Sequence, residues 1–480
     1  MNNPVHMNGQ KPNHSLLYKH FEKNPGLVIT WGKGIYLETE DGRKILDATS
    51  GAAVSCLGFD NQEVKLAVIE QLLNIPYCHP GFYQTKVAED LASLLVQSTH
   101  GHMGKAILCG SACILGSEAM EVTMKLAKTH FTHLATPELE RTRFIARVRS
   151  YHGATLGTLA LGDWKPRKDP FNSIVPQTTT HVSACSVYRG LRHGEKEEAY
   201  VARLAQELDD EFQRVGPEKV CAFVAETVGG SASGCATPVP GYFRAVKAVC
   251  QKYGALLILD EIMCGMGRTG SLHAWEQEGV APDIQAVGKG LGAGYGAISA
   301  VLVNSDLVNS FKKAGKPFPH GQAYMAYPLA VAAALKTQQI IREHNLISNV
   351  AKMGKYLEQQ LKERVLHLPF VGDVRGRGLF WAVEFVSEKT TKAPFPADLD
   401  VNNLLHTKGL QTGYDISLFH AGGTYDGYAG DHFLICPPYI VTENDIDEIV
   451  NRTIRVIEDT FTDLSQTVLW EKLSLKPWRC

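Results

Sequence analysis

Residues 257–303 read LILDEIMCGMGRTGSLHAWEQEGVAPDIQAVGKGLGAGYGAISAVLV. Three short apolar runs stand out around it: Ala255 to Leu259, Ile284 to Val287 and Ile298 to Val303. Runs this short and continuous are expected of strands buried on both faces, not of strands with one wet side. Two of them end in polar, specific residues. Leu259 leads into Asp260-Glu261, and Val287 leads into Gly288-Lys289-Gly290. Further glycines at 292, 294 and 296 leave a single ammonium among residues without side chains, so that a ligand has room to approach the backbone. A lysine is ordinarily a hydrated charge on a flexible stem. Desolvation shifts its pKa readily, and that is how it becomes a Schiff-base nucleophile. A carboxylate at a strand end is often just a turn cap. It also has the chemistry to hold a heteroaromatic ring nitrogen protonated, since an opposite charge within hydrogen-bond reach favours the cation.

The pattern continues upstream. Ala106 to Cys109, Arg143 to Arg147 and Val220 to Ala225 are further apolar runs, interleaved with helical spacing over Glu118–Thr129 and Pro240–Tyr253. Alternating strands and helices predict an α/β fold with a mostly parallel sheet between helices. Ligands of such sheets sit at the carboxyl ends of the strands. Gly34 to Asp47 reads as a hairpin around Asp41-Gly42, and Val64 to Leu73 as a helix. Beyond residue 326 come helices over Tyr327–His344, Ile347–Val365 and Glu443–Phe461, the last capped by Thr442, with one clear strand, Leu379–Val386. Sparse strands there predict a smaller α+β domain. The expected division is a disordered leader over 1–12, an N-terminal part of the small domain over 13–62, a large ligand-binding domain over 63–325, and a C-terminal small domain over 326–480.

The 480 residues carry a formal net charge of −2, which offers neither a nucleic-acid footprint nor a polybasic membrane patch. Eleven cysteines are scattered without framework spacing. Cys109 and Cys113 form a lone CxxxC with no second pair to complete a zinc set, so no metal is expected. The polar start of the chain has no signal-peptide core, and no run of about 18 apolar residues occurs. The expectation is a soluble, cytoplasmic chain with reduced thiols.

Other strand ends add candidates. Tyr151-His152-Gly153 follows Arg147 closely, and an aromatic there has the shape to stack on a planar ligand. Gly110-Ser111 and Gly116-Ser117 lie between a strand and a helix start, where main-chain N–H groups and the helix dipole favour phosphate. Taken together, these features resemble the class III aminotransferases of pyridoxal-phosphate fold type I, from about Gly34 to Phe461, most specifically over 257–303. The resemblance implies pyridoxal 5′-phosphate as cofactor, Lys289 as the Schiff-base lysine and Asp260 as the ring-nitrogen partner. Ile262 would lie under the ring and Tyr151 stack on it, with His152 beside it and Glu226 near Asp260. Gly116-Ser117 would cradle the phosphate. The segment His320 to Tyr324 would come from the second subunit of a homodimer that shares its active site.

The chain departs from that family in two places. Leu115 precedes Gly116-Ser117 where a serine is usual, which leaves Gly110-Ser111 as the alternative cradle. Ala323 stands where a threonine usually donates, so a hydroxyl worth about 1 kcal/mol is lost. The implied reaction is ping-pong transfer of an amino group from an amine or ω-amino acid to a keto acid. Arg375 and Arg377 are candidates for holding a substrate carboxylate, because a guanidinium clamps one bidentately. The same fold also serves decarboxylases, aminomutases, racemases and non-catalytic descendants.

Overall fold

The computed structural model describes residues 26–110 and 115–467. The expected leader and the residues Ser111, Cys113 and Cys480 lie outside them. The centre of the molecule is a seven-stranded sheet in the order Met103–Cys109, Ser299–Asn304, Ile284–Val287, Leu256–Glu261, Val220–Glu226, Arg143–Arg147, Thr179–Val182. All neighbours pair in parallel except Ser299–Asn304, which runs antiparallel to both of its neighbours.

These runs are continuously apolar because of what covers them. Side chains alternate across a strand. Ala222, Val224, Ile258, Ala286 and Val301 pack on one face, with Val122 and Leu126 of the Leu115–Thr132 helix. Phe223, Ala225, Leu257 and Leu259 pack on the other, with Leu204 and Leu208 of Glu197–Val215 and Val246 of Tyr242–Lys252. Neither face is left to water, so these central runs stay almost wholly apolar until the strand ends; Gln285, buried within Ile284–Val287, is an exception whose amide donates to Glu261 at 2.8 Å.

The sequence expectation of few strands beyond residue 330 is not met. Val371–Arg377, Phe380–Phe385, His432–Ile435 and Phe419–Ala421 form a four-stranded antiparallel sheet. Most of these strands are short, and the longest, VGDVRGR, carries polar residues and glycines, so continuous hydrophobicity does not mark them. The Leu346–Gln360 and Glu443–Ser465 helices complete a second large core with this sheet. Thr442 caps the latter through a reciprocal box with Asp445, as its sequence position suggests. The N-terminal strands Ile29–Lys33, Tyr36–Thr39 and Lys44–Asp47 form a meander that pairs in parallel with Ile416–Ser417, joining the two ends of the chain. Among the described residues, no helix is long and apolar enough to cross a membrane.

Candidate active site

The carboxyl ends of the parallel strands open into a cavity of about 530 Å³. Alternation decides which residues reach it. In the Leu256–Glu261 strand, Asp260 shares the face of Ile258, toward the Leu115–Thr132 helix, while Glu261 shares the face of Leu257 and Leu259. Next door, Glu226 follows Ala222 and Val224 onto the cavity face. Thr227 falls behind, where its hydroxyl bonds Glu261 at 2.7 Å.

Asp260 is 5% exposed. Its Oδ2 lies 2.8 Å from Nδ1 of His152, and Oδ1 accepts the N–H of Ile262 at 3.0 Å. Glu226 Oε1 accepts the N–H of Gly230 at 2.8 Å, and burial pushes its carboxyl above the usual range. Lys289 opens a short 3-10 turn directly after the Ile284–Val287 strand. Its φ of +43° is in the left-handed region, an uncommon place for a residue with a side chain and one often found at functional sites. Among the described residues its ammonium has no hydrogen bond or ion pair. Burial holds that ammonium below the ordinary lysine range, with the charges of Asp260 and Glu226 opposing the shift.

On the facing wall, Gly116 and Ser117 lie in the first turn of the 18-residue helix Leu115–Thr132. A Cβ at Gly116 would sit 3.0 Å from Ile262 Cγ2, so glycine lets this turn come down onto Ile262. Ser117 Oγ accepts the N–H of Ala154 at 2.8 Å, tying the helix start to the Tyr151-His152-Gly153 turn. Tyr151 lines the cavity with its ring edge-on to Trp164, at 5.4 Å between centroids.

Lys289, Asp260, Glu226, Gly116, Ser117, Tyr151, His152 and Ile262 therefore all border one space. The remaining candidates do not. Gly110 is packed against Tyr324 and Tyr327 with no room for a Cβ, outside the cavity lining. Ala323 is exposed, away from its own chain's cavity. Arg375 and Arg377 lie within the Val371–Arg377 strand rather than ahead of one, and both are engaged elsewhere. Arg375 contacts Asp373 and Glu384 at 2.7 Å each, and Arg377 contacts Glu278 at 2.7 Å. Glu384 also takes Arg189 at 2.6 Å. Opposite charges within the chain hold both of these guanidiniums, and neither borders the cavity. Val54, Ser231, Met263 and Cys264 border the cavity without having been singled out in the sequence. The position of Met263 and Cys264 directly after Ile262 was the one available signal.

The donor set suits pyridoxal 5′-phosphate. It offers a desolvated amine, a buried carboxylate facing the same space, an aromatic wall, and a long helix start with a hydroxyl beside a glycine that admits close approach. No group of metal-ligating side chains occurs among the described residues.

Comparison with known proteins gives the family. The Aminotransferase class-III family matches residues 17–457. An uncharacterized aminotransferase of Schizosaccharomyces pombe is 45% identical over 94% of this chain and 96% of its own length. Gamma aminobutyrate transaminase 3, chloroplastic, of Solanum lycopersicum is 33% identical over 90% of this chain and 81% of its own. Among solved structures, the omega transaminase from Pseudomonas jessenii in complex with PMP superposes with a TM-score of 0.82 at 30% identity, covering 90% of this chain and 92% of that one. The chain belongs to the class-III aminotransferases, enzymes that transfer amino groups with pyridoxal 5′-phosphate.

Proposed function

We propose that the chain moves an amino group from an ω-amino acid or amine donor to a keto acid in two alternating half-reactions, with Lys289 and Asp260 as its catalytic residues. The observation that carries the assignment is the convergence of Lys289, Asp260 and Ser117 on one cavity from two strand ends and a helix start. Bound there, pyridoxal 5′-phosphate supplies the carbonyl that accepts the amino group and a ring that takes up the electron pair of the substrate carbon.

The residues divide the rest of the work. Nζ of Lys289, kept below the usual lysine range by burial, is an amine suited to take the proton from the donor carbon and return it on the acceptor side. Asp260, oriented by His152 and the Ile262 N–H, presents its charge to a ring nitrogen. Ser117 and the helix start favour a phosphate, Tyr151 and Ile262 bound the two faces of a flat ring, and Glu226 closes the cavity beside Asp260. The Solanum and Pseudomonas relatives, named for γ-aminobutyrate and omega transamination, support an amine remote from any carboxylate.

We also infer a homodimer. Ile69, Leu72, Leu73, Tyr77, Phe82 and Tyr83 are all exposed, and Tyr77 meets Tyr324 at 5.7 Å, beside Ala323. An apolar band of this kind marks an interaction surface. A second copy seated on it would place the 320–324 segment against another subunit.

The test is a panel of amines, ω-amino acids and α-amino acids with a fixed keto acid, following oxo-product release and the visible band of the bound cofactor together. Release of an amino acid from the keto acid with ω-amino donors is the expected result. Carbon dioxide or an isomer in its place would overturn the transfer reading.

A further inference from the structure

Two loops meet beside Tyr151. One is the segment of residues 163–169, and the other is the glycine-rich loop of residues 422–430 from the far part of the chain. Trp164 Nε1 donates to the main-chain carbonyl of Gly422 at 3.1 Å, Arg149 Nη1 to that of Tyr425 at 3.2 Å, and Lys165 Nζ to that of Asp426 at 2.5 Å. Lys168 Nζ turns inward to Gly162 at 2.9 Å. These cations are used to hold the two loops. Asp163, Asp169 and Asp426 are similarly occupied, by the N–H of Arg149, by the Tyr428 hydroxyl, and by the N–H groups of Tyr428 and Ala429.

Arg167 is different. It is exposed, and among the described residues its guanidinium has neither hydrogen bond nor ion pair. It stands 5.0 Å from the Trp164 ring centroid and 5.8 Å from that of Tyr151, which is itself a wall of the cavity. Contact with two aromatic faces limits the swing of a long side chain while leaving its five donors open. The candidates expected from sequence for a carboxylate, Arg375 and Arg377, are neutralised by Glu384, Asp373 and Glu278.

We propose that Arg167 is a specificity-determining residue that binds the carboxylate at the end of the substrate remote from the reacting amine. The inference rests on the ω-amino donor reading and narrows it: the preferred donor carries a terminal anion. The amine enters toward Lys289, and the anion stays at the rim beside Tyr151. A guanidinium recognises a carboxylate through two parallel N–H groups, a geometry that an ammonium cannot reproduce.

The test compares γ-aminobutyrate with n-butylamine, the same chain with and without the carboxylate, using the full-length holoenzyme and one keto acid. Arg167→Gln should lower the ratio of kcat/KM for the two donors by about tenfold, the size of one charged hydrogen-bonding contact, through KM rather than kcat. Arg167→Lys should recover part of the loss. An unchanged ratio overturns the proposal. A second measurement needs no turnover. The Kd of butyrate, read by calorimetry, should weaken by about tenfold in Arg167→Gln, and an equal Kd overturns the proposal. If the wild-type enzyme turns over neither donor, the donor reading fails, while the butyrate measurement still decides the role of Arg167. Arg167 is exposed, so an unaltered thermal midpoint is expected in both variants.

Discussion

Asp260 and Glu261 are neighbours on one strand with the same charge, yet they face opposite sides of the sheet. Asp260 meets one histidine and one N–H and otherwise borders open space. Glu261 is sealed behind, where it accepts from the Thr227 hydroxyl, the N–H groups of Ala274 and Trp275, and the Gln285 amide, all at 2.7–2.8 Å. The difference is between a charge left available and a charge fully used. A carboxylate with spare acceptor capacity in a cavity is suited to a ligand, whereas one with every lone pair committed ties chain segments together. Here Glu261 joins the strand to residues 274–275 and to Gln285 of the next strand.

Substitutions can break this contrast, and the largest effect belongs to the open face. Lys289→Ala should remove transamination by at least about 10³-fold and abolish the visible band of the lysine-bound cofactor, because both the amine and the proton carrier are gone. A persistent band in the purified variant would contradict the assignment. Asp260→Asn keeps the shape and removes the charge. It should cost about 10²-fold or more in kcat while the thermal midpoint stays near wild type. An equal loss of stability would mean that the two carboxylates are not so different after all.

On the closed face the sign is reversed, with stability affected first. Glu261→Ala removes the acceptor of four hydrogen bonds and should cost about 4 kcal/mol in chemical denaturation, at roughly 1 kcal/mol each. The smallest effect is a pH dependence. Burial pushes the Glu261 carboxyl from 4.5 up to about 7, against the pull of its four donors. A raised carboxyl pKa means that the native state holds its proton longer than the unfolded chain. Stability contributed by this group is therefore full below pH 4.5 and lost as pH rises toward 7, by up to about 3 kcal/mol. Glu261→Gln should remove that slope. Denaturation midpoints that fall equally in wild type and variant between those pH values would show that Glu261 is not its source.

Much of the sheet was legible because both of its faces are covered, so that burial wrote itself into continuous apolar runs. Arg143–Arg147 and Ile284–Val287 appear in the structure with the bounds expected of them. Thr179–Val182 did not declare itself, since an edge strand reading TTHV has no apolar continuity. Of the second sheet only Phe380–Phe385 was legible, as the expected strand Leu379–Val386; Arg375 and Arg377 interrupt its longest strand, and their neutralising partners Glu384 and Glu278 are set by folding rather than by spacing. The cavity residues Asp260, Lys289, Gly116 and Ser117 were visible because chemistry at strand ends leaves a local mark. Val54 was not, because nothing near it in sequence hints at its neighbours across the cavity.

The sequence by itself determined the alternating architecture and the strand-end positions of Asp260 and Lys289, since these depend on local order and period, and its resemblance over 257–303 implied the family and its cofactor. Tertiary structure alone decided which acid faces the cavity, which arginines are neutralised within the chain, and that Arg167 keeps a guanidinium beside Tyr151 that is unpaired among the described residues. Those outcomes depend on charges and surfaces brought together from distant parts of the chain, and a pairing of that kind leaves no periodicity to read.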